Sequence, residues 1–479
     1  MLSRDNFEFS GLLGYFEAIS DIPRASYKES KIADYLCDFA KSRGLEYYRD
    51  GTNNVLINAP ATKGCESAPA LLLQGHTDMV CEKNAGVEHN FDTDPLELYE
   101  ENGWIRARGT TLGADDGVAV AIMLYILDGG VERHGPLQCL FTASEEVGLD
   151  GVKAFDYSRI YARRMINIDS PDEAEVIAGC AGGQRSSMTF EVSAKTVRAD
   201  VAQITVSGLY GGHSGEDINR GRANANKLMG RVLYRLLDGD VQLVSIHGGT
   251  KDNAIPRECV ATVAVADRKD VEKKIEKLRD ELACGMSEDD KNFSLTLEFL
   301  GERETEIIDD TCAKKVVFVM HTVANGVFEM NHNVSGLVEW SRNLGIVSCD
   351  KNGAELVFSA RSSYEARIEL SEAELDDYAS ALGASVRHYN RYPGWSFAPT
   401  SEIRDCYVNA FERILGVTPE VTVIHAGLEC GFISRAVPNM DIISCGPQVK
   451  DHHSPDEALN KDSFQRFFKV IKHIIEVGL

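Results

Sequence analysis

Basic residues are the minority charge in this chain: 50 Lys and Arg stand against 74 Asp and Glu over 479 residues, a formal charge of −24. That balance would repel a polyanion, so neither nucleic acid nor an anionic membrane surface is expected as a partner. Long apolar runs are missing as well. Stretches such as GVAVAIMLYIL fall short of the roughly 20 apolar residues that cross a bilayer. The N-terminal stretch MLSRDNFEFSGLLGYFEAIS has no basic start followed by an apolar block, so no secretory leader is expected. There is no GxxxxGK[ST] phosphate loop and no convincing GxGxxG, which removes a nucleotide-dependent α/β enzyme from consideration. Twelve cysteines are present, but scattered singly with no CxxC pair. Reduced thiols serving as small apolar residues fit that pattern, and with it a cytoplasmic location.

What is present is length and two textures. At 479 residues the chain exceeds one typical core and suggests two or three domains. Residues 1–185 read as α/β, with strand candidates ALLLQ (70–74), LQCLFTA (137–143) and MINID (165–169) alternating with helical patterns. Residues 395–479 return to that texture, with strands in VTVIHAG and MDIISCG and a helix carrying Phe464, Phe467, Phe468, Ile471, Ile474 and Ile475 at 3.6-residue spacing. The expected fold is therefore α/β, a mostly parallel sheet covered by helices. The middle, 186–394, repeats a strand–helix–strand–strand–helix order twice. Its first helix is expected over EDINRGRANANKLMGRVLYRLL. Each second strand leads to an arginine, Arg268 or Arg361, and an asparagine precedes each strand pair, Asn253 or Asn343. This reads as an inserted lid of two related α+β lobes, interrupting a catalytic domain made of two sequence pieces.

Metal ligands must converge as deprotonated side chains, and strand ends gather them well. Five segments each bring such residues to a strand end or helix entry: His76 and Asp78 in LLLQGHTD, Asp115 and Asp116 in GADDG, Glu145 and Glu146 in ASEEVG, Asp169 in MINIDS, and His452 and His453 in HHSPDE. Any one of them alone is a weak signal, since single polar side chains ordinarily face solvent. Together, carboxylates closing one sheet edge would repel one another unless cations neutralise them. Two divalent ions account for this many acids and two histidines better than one. Nitrogen and oxygen donors without cysteine favour zinc, with manganese or cobalt as the other candidates.

These segments, with GCAGG, GGHSGEDINRGRANA, NAIPRE, SARSS and HAGLECG, resemble the metallopeptidase family of aminoacylases, glutamate carboxypeptidases and dipeptidases, and within it the dipeptidases. The resemblance covers essentially the whole chain. It implies that His76 and Asp169 are ligands of separate metals, that Asp115 bridges both, and that Glu146 joins one metal and His453 the other. Asp78 would orient the His76 imidazole, Glu145 would be the general base, and the Asp115–Asp116 peptide would be cis. A neighbouring His452 leaves a second histidine beside the expected ligand. The resemblance further implies that Asn253, Arg361 and Gly427 line the substrate site and that His213 helps to stabilise the oxyanion. It assigns no roles to His425 and Glu429.

The chemistry so implied is hydrolysis of short dipeptides, Xaa-His and carnosine-like ones included, by a metal-activated water. A guanidinium suits a C-terminal carboxylate because its fork is bidentate, and a two-lobed lid would limit substrate size. Two tandem lobes could supply within one chain what single-lobe relatives take from a partner, which leaves a homodimer open. The nearest rival is an N-acyl amino acid deacylase or carboxypeptidase of the same fold. A more distant one is a catalytically silent, metal-stabilised scaffold, which would be expected to lack the general base or a ligand.

Overall fold

The computed structural model describes residues 2–237, 239, 241–332 and 334–478, and its chain divides into two units. The first comprises Met1–Cys180, Trp395–Val423 and Leu428–Leu479; the second comprises Ala181–Gly394 and Ile424–Gly427. The boundary expected after residue 185 thus falls at Cys180, because Gly182–Phe190 is a strand of the second unit's sheet. Gly427, expected within the returning piece, also groups with the second unit.

The first unit is built on an eight-stranded mixed sheet. Its order is Glu46–Arg49, Val55–Ala59, Leu137–Thr142, Leu71–His76, Arg164–Asn167, Asp441–Ser444, Glu175–Cys180 and Glu420–Ile424. From Leu137–Thr142 to Asp441–Ser444 the strands run parallel. Strand Leu71–His76 is buried at every position, which is why it reads as a continuous apolar run rather than an alternation. Helices Ser10–Ser20, Ala114–Tyr125, Glu402–Leu415 and Lys461–His473 join its core through Phe16, Ile122, Tyr407, Phe464, Phe467 and Phe468. The burial of each such side chain contributes about 2 kcal/mol. The consequence for function lies at the strands' carboxyl ends. Four adjacent parallel strands there release their loops on one edge of the sheet, where open α/β sheets build their sites.

The second unit carries a nine-stranded antiparallel sheet. One half contains strands Ala194–Ser207, Val241–Gly248, Cys259–Val265 and Ser294–Ile308 with helices Ala225–Leu236 and Arg268–Ala283. The other contains Gly182–Phe190, Val338–Asp350, Gly353–Ser362 and Ser385–Tyr392 with helices Asp310–Thr322 and Glu365–Leu382. Each half follows the chain order strand–helix–strand–strand–helix–strand. The halves join where Val241–Gly248 pairs with Val338–Asp350. Their helices pack on the sheet into one core that includes Met229, Leu233, Val316, Met320 and Leu375.

Two details of the expected repeat fail. Arg268 begins a helix and pairs on the surface with Asp200, whereas Arg361 lies buried inside a strand. Asn343 sits within a strand, but Asn253 only precedes the short strand Ala254–Ile255. The helix expected from residue 216 starts at Ala225. Gly221 has φ +70, a conformation that interrupts a helix, and the Asn224 side chain caps the helix by accepting from the Lys227 N–H.

All twelve cysteines are free thiols, and among the described residues no helix is long and apolar enough to cross a membrane.

Candidate metal centre

Three of the four parallel strands deliver acids or a histidine to the same edge. His76 ends Leu71–His76, Glu145 and Glu146 follow Leu137–Thr142, and Asp169 follows Arg164–Asn167. Helix Ala114–Tyr125 brings Asp115, and the loop after Val449–Lys450 brings His453. The Asp115–Asp116 peptide is cis, as the resemblance implies.

Asp115 stands between two imidazoles. Its Oδ1 is 2.9 Å from His76 Nε2 and its Oδ2 is 3.1 Å from His453 Nε2. Around the first oxygen, Asp169 Oδ1 lies 3.8 Å from His76 Nε2. Around the second, Glu146 Oε1 lies 3.0 Å from His453 Nε2 but off hydrogen-bonding geometry. His76 and Asp169 thus lie together, where the resemblance implies separate metals for them, and Glu146 lies with His453. The strand ending at His76 has a parallel neighbour on each side, one leading to Asp169 and the other to Glu145 and Glu146. His453 rather than His452 points at Asp115, and the His452 ring packs edge-to-face against it.

Asp78 is fully buried. His76 Nδ1 lies 3.1 Å from the Asp78 backbone carbonyl, in hydrogen-bonding geometry, and 3.5 Å from the carboxylate Oδ1. The same carboxylate accepts from Ser26 Oγ at 2.7 Å and from the N–H groups of Glu145 and Glu146 at 3.0 and 3.2 Å. Asp78 therefore holds the imidazole, chiefly through its carbonyl, and the acidic loop through its carboxylate. Burial pushes this carboxyl up, but His76, Ser26 and the Glu145 N–H outweigh burial and hold it below its ordinary value. Asp116 accepts from the His76 backbone N–H at 3.1 Å and also has a carboxylate oxygen within 4.8 Å of donor atoms of His76 and Asp169.

Burial, reinforced by neighbouring acids, pushes Glu145, Asp169 and Asp116 well above the ordinary carboxylate range. His453 is pulled up to about 10 by Asp115 and Glu146. A cluster this acidic, with nitrogen and oxygen donors converging on two points, fits two divalent cations.

Sequence reasoning missed several residues that shape this edge. Buried Glu457 and Arg24 grip the turn before Asp115. Glu429, left without a role, accepts from Gln74 Nε2 at 2.5 Å and Thr142 Oγ1 at 2.7 Å, and burial pushes it up to about 7. Glu457 stands in HHSPDE and was within reach of the motif, whereas Arg24 carries no sequence signal.

Within the second unit, His213 and Arg361 converge on Gly215, where an added Cβ would lie 3.2 Å from His213 Cε1 and 3.3 Å from Arg361 Nε. Arg361 Nη1 donates to the Tyr392 hydroxyl at 2.9 Å, and its Nε has no partner. Gly427 sits against the same tyrosine, where a Cβ would come within 2.6 Å of the ring. Asn253 joins through its carbonyl, which accepts from the Ser214 N–H at 2.8 Å. His425, left unassigned from sequence, is buried with Nε2 2.7 Å from Ser341 Oγ. Burial, then Arg361, pushes the His213 imidazole down; burial, Arg361 and His213 push His425 down to about 3.

Comparison with known proteins gives the family. The chain is 36% identical over 470 residues to the cytosol non-specific dipeptidase of Escherichia coli (strain K12), covering 96% of each. It superposes on the aminoacylhistidine dipeptidase of Vibrio alginolyticus with a TM-score of 0.93 at 34% identity, over 99% of this chain and 97% of that one. An aminopeptidase of Bacillus cereus, at 16% identity, 97% coverage of each chain and a TM-score of 0.57, shares the fold. The model of peptidase family M20/M25/M40 matches residues 72–477, and the chain belongs to that family.

Proposed function

We propose that this chain is a cytoplasmic dipeptidase using two divalent metal ions, zinc foremost, to hydrolyse short dipeptides, those with C-terminal histidine among them. The observation that carries the reading is Asp115, whose two carboxylate oxygens each face a different histidine. On that basis His76, Asp115 and Asp169 would hold one ion, and Asp115, Glu146 and His453 the other. Bound there, the ions would supply Lewis-acid polarisation of the scissile carbonyl and an acidified water.

The protein's own groups account for the rest. Glu145 offers a carboxylate oxygen within 4.8 Å of donor atoms of His76 and Glu146. It is the base that takes the water's proton and returns it to the leaving amine. Asp78 keeps His76 Nε2 directed at the centre by engaging Nδ1 and by fixing the backbone of Glu145. In the second unit, Arg361, with His213 beside it, supplies the positive charge suited to the substrate carboxylate. The names of the two close relatives support a dipeptide as the substrate class.

Metal analysis of the purified protein, paired with a panel of Xaa-His dipeptides, β-alanyl-histidine and N-acetyl amino acids, tests this. Two ions per chain and a preference for dipeptides are expected. Full activity with fewer than two ions would overturn the bridged site, and preferential cleavage of N-acetyl amino acids would make the chain a deacylase.

A further inference from the structure

Helix Ala114–Tyr125 starts after Gly113 with no side-chain cap of its own, so its first N–H groups need acceptors from elsewhere. They find one far along the chain. Glu457 Oε2 accepts from the N–H groups of Leu112 at 2.8 Å and Gly113 at 2.9 Å, and Oε1 accepts from Ala114 at 2.8 Å and Asp115 at 3.3 Å. From the other side Arg24 donates to the carbonyl of Gly113 at 2.5 Å, and to those of Thr77 and Asp78 at 3.0 and 3.3 Å. Both side chains are 2% exposed. Gly113 is required between them: its φ is +66, and a Cβ would lie 2.4 Å from Arg24 Nη2 and 2.8 Å from Met79 Sδ.

A helix cap alone would be a matter of stability, but the local backbone says more. Asp115 and Asp116 depart from helical geometry, with φ/ψ of −82/104 and −113/40. The helix therefore does not dictate where the Asp115 carboxylate points. What dictates it is the grip on residues 112–115. Glu457 also follows His453 by four positions, in a loop turned by the Glu457 N–H donating to the Ser454 carbonyl at 3.1 Å. One carboxylate thus ties the turn bearing Asp115 to the loop bearing His453, while Arg24 ties that turn to the loop bearing Asp78.

We infer that Glu457 and Arg24 are positioning residues that set the spacing between Asp115 and its two histidines, and through it the affinity and geometry of the dinuclear site. This rests on the metal reading above. Glutamine at 457 keeps the shape but offers one acceptor oxygen, and its amide N–H₂ would meet two backbone N–H groups that have lost theirs.

The test is titration of Co²⁺ into metal-stripped wild-type and Glu457→Gln proteins, followed by visible absorption, with kcat, KM and the thermal midpoint of the metal-free forms measured alongside. Wild type is expected to take two equivalents; if it does not, the dinuclear reading itself falls. Given two in wild type, Glu457→Gln should bind its weaker equivalent about 10–100-fold less tightly. Its cobalt spectrum should be altered, and kcat should fall at little-changed KM. A folded variant with a lower thermal midpoint but wild-type cobalt spectrum, affinity and kcat would reduce Glu457 to a helix cap and overturn the inference. If Glu457→Gln does not fold, Arg24→Lys, a point charge that cannot fork over three carbonyls, carries the same readouts. It is expected to weaken cobalt binding several-fold, and wild-type binding there would equally overturn the proposal.

Discussion

The two units gather different charge: acids predominate in one cluster and a buried arginine in the other. At the edge of the first unit's parallel sheet, acids crowd two histidines, and burial with mutual repulsion drives Glu145 and Asp169 up. In the second unit a buried arginine and two imidazoles meet, and burial with the arginine's charge drives His213 and His425 down. The acids of the first cluster repel one another unless a counter-charge arrives, whereas the second holds one buried guanidinium beside two imidazoles whose protonation it disfavours. The difference teaches what each accepts: the acidic cluster suits cations, and the basic one suits an anion such as a peptide carboxylate. The loops of the acidic site are cross-tied by Asp78, Glu457 and Arg24, and each cluster keeps a buried polar atom without a partner, Glu146 Oε1 in one and Arg361 Nε in the other.

If the acids of the first unit divide into ligands and a proton carrier, removing the carrier should leave the cations in place. Glu145→Gln is expected to lower kcat by about 10²–10⁴-fold, with two metals per chain retained by elemental analysis. Parallel loss of metal would make Glu145 a ligand instead.

A smaller effect is expected where the basic cluster is weakened. Arg361→Lys keeps the charge but loses the fork, and KM for dipeptides should rise about 10-fold or more with metal content unchanged. Steady-state kinetics on a dipeptide and on its C-terminal amide would check it. An equal rise for both substrates would break the assignment of this cluster to the carboxylate.

The smallest effect concerns stability. His425 has a folded-state value near 3, below the roughly 6.5 of an unfolded chain. Between those values the unfolded chain holds a proton that the folded chain does not. Its contribution is therefore complete above about pH 7 and is lost as pH falls toward 3. At pH 5.5 the cost is about 1 kcal/mol. Urea unfolding at pH 7.5 and 5.5 should show a smaller loss in His425→Gln than in wild type. An equal loss in both would mean that His425 is not buried neutral.

Much of the fold was legible because burial leaves a direct trace. The strands ALLLQ, LQCLFTA, MINID and MDIISCG are apolar runs, and the structure has strands over each. The family resemblance was legible in long motifs and is matched by the family model. Less could be read where residues distant in sequence meet. The likeness drawn between Arg268 and Arg361 followed a pattern of letters, yet one arginine is exposed on a helix and the other buried in a strand. Arg24 had no motif around it at all.

By itself the sequence determined which groups could do chemistry here: six acids and three histidines at strand ends and loops, and an arginine and a histidine in the inserted segment. Periodicity and motif carry that information because they are local. Tertiary structure alone decided how those groups are shared out. His76 meets Asp169 across one parallel neighbour of its strand and the Glu145–Glu146 loop across the other. Glu146 goes with His453 because both approach the second oxygen of Asp115. Glu457 reaches Leu112–Asp115 only because the chain returns there after more than 340 residues. Such partnerships depend on strand order and chain reversal, which no local pattern of residues records.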